Sequence, residues 1–387
     1  MKKGLLGLAF VLLVLTNLMA VSHFGLTANG FEPSAINMAL GGSPVGVVNF
    51  WHNDPLNAYD NPAFPALKKG LSFSNNSYAF MGAKDSDIFD DLEYSSALSS
   101  LSYYGLGLLL PFVNYKTSEN NSYVDYGNFS VADEETFDPI LFHAYDQIST
   151  YGFSVNLSEA YRLIKSEANL LPYNADLALG MNMIGNCSHI TPYPYQEKVK
   201  ANSTNLGLLA RIDHINDSNL RLESAYGLSY FNGFNNKVTF VDWGQEDLIY
   251  QRLNLGVSAS LARKNSAFPV GKGIRSSVEN IGTVRLLAGA IDELSDNPLL
   301  LGFGGELGLL DTVFFRMGHY DDKDGNISGL TYGLGINLHY REMISAVYNY
   351  AYFPGGSVSK GKTANSLSLN VDLLGIINDA RIRLETR

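Results

Sequence analysis

Cysteine, basic charge and long apolar runs are all scarce in this chain. Its 387 residues include one cysteine, Cys187, which excludes an intramolecular disulfide and a cysteine-based metal cluster. In an oxidising compartment such a lone thiol reads as a buried or loop residue. Charged residues make up only 17%, with 27 Lys and Arg against 38 Asp and Glu. That acidic balance argues against nucleic acid, which is bound through basic surface. Beyond the first 22 residues there is no run of about 18 apolar residues, so a polytopic helical membrane protein is excluded. A phosphate-binding glycine loop and a nucleophile elbow are also lacking. The histidines His23, His52, His143, His189, His214, His319 and His339 show no zinc-type spacing. His319 and His339 fall on expected strands, where a lumen or interface histidine is the plain reading. The stretch Asp321-Asp322-Lys323-Asp324-Gly325-Asn326 superficially resembles a calcium loop. Aligning Gly325 with the sharp-turn glycine, however, puts Tyr320 at the first ligand position and Thr331 where a Glu is needed. A polar hairpin turn is the expectation. No catalytic, cofactor or metal residue is assigned, and the chain is not expected to be an enzyme; an outer-membrane hydrolase with a Ser/His or Asp/His site is the remote alternative.

What the chain has instead is alternation. In Tyr332 to Tyr340 one face reads Tyr332, Leu334, Ile336, Leu338, Tyr340, and the other Gly333, Gly335, Asn337, His339. Successive side chains of a strand point to opposite faces, so this segment is apolar on one side and small or polar on the other. Aromatics close both ends of the apolar stripe, as in strands that span a bilayer between interfacial girdles. A soluble sandwich also shows period two, but its exposed face is charged; here it is Gly, Ser and Asn. The pattern recurs at 71–81, 100–112, 149–158, 173–184, 204–213, 222–232, 250–261, 283–292, 301–309, 313–320, 329–340, 343–353 and 366–374. Bacterial barrels usually have an even number of strands, so a missing one is expected in 122–131 or 237–243, giving about 14. Short connections (310–312, 341–342) alternate with long ones (113–148, 262–282), as periplasmic turns alternate with outer loops. The stretch 113–148, with Asp133-Glu134-Glu135, is expected to be a solvated outer loop.

The N-terminus reads as a secretory signal over 1–22. Lys2 and Lys3 are its basic region, Gly4 to Leu18 its apolar region, and Ala20-Val21-Ser22 its small-residue cleavage site. Residues 23–70 lack period two. Within them Ser34 to Gly42 suits a short helical turn ended by glycines, and Asn57 to Leu67 is turn-rich. A barrel of this size encloses more space than its own side chains fill. Residues 23–70 are therefore expected to be a luminal plug, followed by the barrel at 71–387. Asn61-Pro62 suits a rigid turn, and Gly41-Gly42 permits close approach to the wall.

Two stretches carry a family resemblance. Leu40-Gly41-Gly42 followed by Asn61-Pro62-Ala63 resembles the N-terminal segment of the FadL-like superfamily of outer-membrane barrels, including the PorV/PorQ proteins. Phe315-Arg316-Met317-Gly318, Gly329 to Ile336, Tyr348-Asn349-Tyr350-Ala351-Tyr352 and Ser366 to Leu369 are similar to the last strands of PorV/PorQ-like proteins, in the same order. The resemblance implies an all-β transmembrane antiparallel barrel of a Gram-negative-type outer membrane, with Gly41, Gly42, Asn61, Pro62 and Ala63 in the plug. It implies outer-membrane lipid around the chain and a secretion-associated or envelope-transport role, with a secreted protein or the secretion machinery as partner. The alternative it implies is transport of a hydrophobic small-molecule ligand. No cofactor is expected. The chain departs from the family at Ser43, at His319 and at its end, Leu384-Glu385-Thr386-Arg387. The closing strand is either 366–374 with a tail after it, or Ala380-Arg381-Ile382-Arg383-Leu384.

Overall fold

A computed structural model describes residues 32–79, 93–111, 122–132, 139–165, 174–189, 199–234, 237–240, 245–249, 251–264, 279–294, 298–323, 326–340, 343–355 and 361–385. The expected signal at 1–22 and the first part of the expected plug, to residue 31, lie outside them.

The strands are β1 (Gly70–Ala79), β2 (Glu93–Tyr103), β3 (Leu106–Pro111), β4 (Ser122–Ala132), β5 (Pro139–Asn156), β6 (Asn174–His189), β7 (Val199–Asn216), β8 (Leu220–Phe231), β9 (Lys237–Phe240), β10 (Gln245–Leu248), β11 (Arg252–Lys264), β12 (Asn280–Asp292), β13 (Leu300–Leu309), β14 (Val313–Asp322), β15 (Ile327–Tyr340), β16 (Ile344–Phe353) and β17 (Lys362–Val371). Each wall strand pairs antiparallel with its neighbours, and β17 returns to β1 from Leu71↔Val371 to Ala79↔Thr363. Strands β3 and β4 are two parts of one stave between β2 and β5. The hairpin β9–β10 stands outside the wall. The result is a closed barrel of 14 staves, which leaves no unpaired sheet edge.

The two faces separate as the sequence requires. On β15, Leu330, Tyr332, Leu334, Ile336, Leu338 and Tyr340 are exposed, and Thr331 and Gly335 are buried. On β6, Leu179, Met181 and Met183 are exposed while Asn182 and Asn186 are buried. An apolar exterior on a closed barrel is the surface that lipid requires. Cys187 lies on β6, half-buried.

Three expectations need correction, and the alternatives left open for the closing strand are decided. Residues 100–112 are not one strand: Tyr104 and Gly105, at φ 53° and 73°, form a two-residue turn joining β2 to β3. Positive φ at both positions matches the strand twist, and Gly105 accepts it without a Cβ clash. Residues 113–148 are not an outer loop, because β4 and the first half of β5 are wall strands; Asp133-Glu134-Glu135 lie outside the described residues. The 262–282 connection joins β11 to β12 at the end that carries the short turns, so it does not alternate with them. The closing strand is β17, and 380–384 falls within a helix, Leu373–Glu385. Of the two candidates for a missing strand, 122–132 completes a stave, whereas 237–240 belongs to the outer hairpin. The Asp321–Asn326 stretch lies at the junction of β14 and β15, where Asp322 pairs with Ile327.

Candidate functional site

The N-terminal segment 32–69 lies inside the barrel. It forms α1 (Ala35–Ala39), α2 (Ser43–Gly46) and two 3-10 turns, Pro55–Ala58 and Phe64–Leu67. Ser34 caps α1 by accepting from the Asn37 N–H at 3.5 Å, and Asp54 caps the first 3-10 turn by accepting from the Leu56 N–H at 3.0 Å. From Pro33 to Phe50 every residue is buried.

The small polar face of the wall receives this segment. Backbone carbonyls without a partner in regular structure must find donors when buried. Asn76 and Ser96 donate to the Pro33 carbonyl at 2.8 and 3.3 Å, and Asn182 donates to Ala58 at 2.8 Å. Thr331 donates to the Ala39 carbonyl at 3.0 Å. Glycines admit the segment's backbone. A Cβ at Gly180 would sit 2.5 Å from the Ala63 nitrogen, and one at Gly302 2.5 Å from the Gly41 carbonyl. Apolar side chains fill the remainder: Ile36, Leu40, Val45, Val47, Val48, Leu56 and Phe64 pack with Leu98, Leu109, Leu209 and Leu287 of the wall.

The residues singled out from sequence lie at these contacts. Gly41 and Gly42 adopt φ of 111° and 79°; a Cβ on Gly41 would lie 2.8 Å from the Phe303 carbonyl and 2.9 Å from that of His319. Asn61 donates through Nδ2 to the Val47 carbonyl within the segment at 2.9 Å and to Leu208 of β7 at 3.1 Å, while its Oδ1 accepts from the Ala63 N–H at 3.1 Å. Pro62 and Ala63 back onto Gly180 and Gly207. The two motifs meet different parts of the wall, β13–β14 and β6–β7.

Sequence reasoning missed an ionic cluster. His52 meets Glu306 at 2.6 Å, Arg316 donates to Glu306 at 2.7 Å and to Asn349 at 2.8 Å, and Arg285 pairs with the other Glu306 oxygen. The three charged wall residues sit in register, Arg285↔Glu306 and Glu306↔Arg316. Their signal was charge at inward positions that elsewhere carry Gly, Ser or Asn. A second pair of buried acids, Glu32 and Asp60, lies within the segment. Asn37 donates to both, at 3.3 and 2.8 Å, and Arg252 approaches Asp60 at 3.5 Å. Burial pushes the Asp60 carboxyl up to about 6, and burial followed by repulsion from Asp60 pushes Glu32 well above the carboxylate range.

Above and below the segment the lumen differs in chemistry. Toward the ends of the strands far from Gly70 and Val371, aromatics line it: Tyr78 stacks on Tyr94 at 4.8 Å, Tyr320 meets Phe353 at 4.8 Å, and Tyr59 meets Phe231 at 5.4 Å. Ile148 and Ile184 complete that cluster. At the opposite mouth a cavity of about 750 Å³ is charged, with Lys68, Glu159, Arg162, Asp176 and Arg211 in its walls. Asp176 bridges Arg162 at 3.3 Å and Arg211 at 2.5 Å. On the rim Lys69 pairs with Asp372 at 2.8 Å; that hydrogen bond raises the Lys69 ammonium, and although burial pushes Asp372 up, the Lys69 hydrogen bond, the Gly375 N–H and the Lys69 charge together hold it below its ordinary value.

One stave is built from two strands. On β2, Leu98 faces Pro111 of β3 while Ser96 faces Ser122 of β4; on β5, Gly152 faces Leu109 of β3 and Ile148 faces Ser122 of β4. Leu108, Leu110, Tyr151 and Phe153 are exposed on its outer face.

No family model matches the chain, and no curated protein matches it. Among solved structures it is similar to a TodX deltaS2S3 mutant monoaromatic hydrocarbon channel, at 10% identity over 88% of this chain and 99% of that one, with a TM-score of 0.46. The Pseudomonas putida toluene transporter TodX is similar at 9% identity over 92% and 99%, TM-score 0.43, and a Pseudomonas aeruginosa FadL homologue at 12% over 88% and 98%, TM-score 0.36. With likenesses this low the fold assignment rests on the chain's own strand register. Among the described residues no group of His, Cys, Asp and Glu is placed to hold a metal ion.

Proposed function

We propose that this chain is an outer-membrane channel for hydrophobic small molecules, with residues 32–69 as its plug and residues 1–22 as a cleaved signal. The observation that carries the reading is the apolar, aromatic lining of the lumen far from the charged mouth, inside a closed barrel with an apolar exterior. Tyr78, Tyr94, Ile148, Ile184, Tyr320 and Phe353 gather there. Such a lining suits a solute with little polar surface, whereas a polar solute would leave its hydrogen-bonding groups unpaired against it.

The polarity of the lumen does not call for a protein ligand. Its Ser, Asn, Thr and Gly positions are occupied by the chain's own N-terminal segment. The secretion-associated reading draws on the order of the C-terminal motifs alone, and no feature among the described residues adds to it. Gly41, Gly42, Asn61, Pro62 and Ala63 act in this account as the seats of the plug, and no residue is assigned a catalytic step.

The test is uptake by a Gram-negative host lacking its own hydrophobic-solute channels. Expression should speed uptake of a labelled monoaromatic compound and leave uptake of a polar solute of similar size unchanged. Equal rates with and without the protein, or a matching gain for the polar solute, would overturn the proposal.

A further inference from the structure

Helix α3 (Leu157–Lys165) follows β5 directly at the mouth and has two unlike faces. Its polar face is turned to the barrel. The Asn156 carbonyl oxygen Oδ1 accepts from the Ser158 and Glu159 N–H groups at 3.0 and 3.2 Å, Ser158 Oγ accepts from the Leu177 N–H at 3.1 Å, and Arg162 pairs with Asp176. Its other side is uncovered, with Ile164 78% exposed; Leu163, 64% exposed, lies at the edge of the mouth cavity. A stripe of Leu157, Ala160, Tyr161 and Ile164 at i, i+3, i+4 and i+7 is the apolar side of a surface helix.

This stripe continues an existing interface. Along β5 the outward positions Tyr151, Phe153 and Val155 lead into Leu157, and the buried inward positions Ser154 and Asn156 lead into Ser158. The neighbouring outward residues Leu106 of β3 and Leu179 of β6 are exposed as well. Tyr104, 64% exposed on the β2–β3 turn, stands next to the helix, since a Cβ on Gly105 would meet the Glu159 Cβ at 2.9 Å. Tyrosine at that level is characteristic of a membrane–water boundary.

We infer that α3 is an interfacial helix whose Leu157–Ile164 face beds into the phospholipid leaflet at the mouth end of the barrel. The inference rests on the membrane location proposed above. Such a helix lies in the plane of the headgroup–acyl boundary, apolar side down and charged side toward water. Here the charged side is the wall of the 750 Å³ mouth cavity, so the lipid contact holds one flank of that cavity in place.

The experiment uses full-length protein carrying Cys187→Ser and one new cysteine, spin-labelled and reconstituted in phosphatidylethanolamine–phosphatidylglycerol vesicles. Sites are Ile164→Cys, Leu179→Cys on the outward wall and Asp217→Cys on the exposed β7–β8 turn. Collision rates are read with oxygen, which partitions into lipid, and with a water-soluble nickel chelate. The expected result is an oxygen-to-nickel ratio at 164 several-fold above that at 217 and close to that at 179. A ratio at 164 equal to that at 217, with 179 still in lipid, would overturn the helix inference alone. Shielding of 164 from both agents would overturn it in favour of a protein contact. A water-like ratio at 179 would sink the membrane location itself.

Discussion

Glycines at inward positions of the wall should be needed for the plug and for nothing else. Replace Gly180 on β6 and Gly302 on β13 by alanine. Each new Cβ would lie within 2.5 Å of a backbone atom of the 32–69 segment, where ordinary contact begins at 3.4 Å. The gap is roughly 1 Å at each site, and the obstacle is backbone rather than a side chain that can swing away; overpacking of that kind costs about 1–3 kcal/mol. The two sites sit on well-separated staves, so their effects should add to about 2–6 kcal/mol against the seated plug. The matched control is Gly185→Ala with Gly305→Ala on the same two strands, where a Cβ meets its nearest neighbour at 3.6 Å in both cases. Cells expressing each variant would be scored for sensitivity to a large polar antibiotic, and purified protein for the gel-mobility shift on heating. The inward pair should keep the shift and gain sensitivity, while the control pair should match the parent. Equal sensitivity of both pairs at equal expression would refute the idea that these glycines exist to admit the plug.

Other outcomes follow from the same contacts. Asn61→Ala removes the donor to the Val47 and Leu208 carbonyls and should loosen the plug by about 1–3 kcal/mol, read as increased permeability with the barrel still folded. Glu306→Gln leaves Arg285 and Arg316 without their counter-charge and should lower stability to urea by about 3–5 kcal/mol, more than Asn349→Ala, which removes a neutral partner. Leu334→Arg places a cation on the lipid face of β15 and should cost about 2–4 kcal/mol in folding into bilayers, whereas Asn337→Arg, on the inward face, should cost much less. Truncation after Asp372 should leave a heat-modifiable barrel, since β17 already closes on β1; failure to fold would show that the Leu373–Glu385 helix is part of the closure.

How much of this could be read from residues alone varied with what each strand has to satisfy. Where a strand has an apolar outer face and packs residues 32–69 on the other, as β15 and β6 do, its sequence alternates, and the faces assigned from Tyr332–Tyr340 are the faces observed. Within the stretch 113–148, 122–131 was offered as a candidate strand and is β4, but the first half of β5 was taken for loop because it carries His143 and Asp146 and its sequence shows no apolar stripe. The turn at Tyr104-Gly105 was hidden because alternating apolar residues stand on both sides of it, Leu101 and Tyr103 before and Leu106, Leu108 and Leu110 after. Arg381 and Arg383 mimic a strand by alternating, yet Leu373 to Glu385 is helical. The Gly41-Gly42 and Asn61-Pro62 motifs were visible in the sequence, but their partners could not be, because Leu208, Phe303 and His319 meet them only through long-range register. The His52–Glu306 contact joins residues on the plug and on β13 and was invisible for the same reason.

The measurement that bears most directly on a plugged membrane barrel is planar-bilayer conductance of the full chain against a variant lacking residues 32–69, both first checked for the mobility shift on heating. The full chain should insert and stay closed to small ions, and the deletion should open a large ohmic pore. A steady open pore in the full chain, or a folded deletion variant that conducts nothing, would contradict the account.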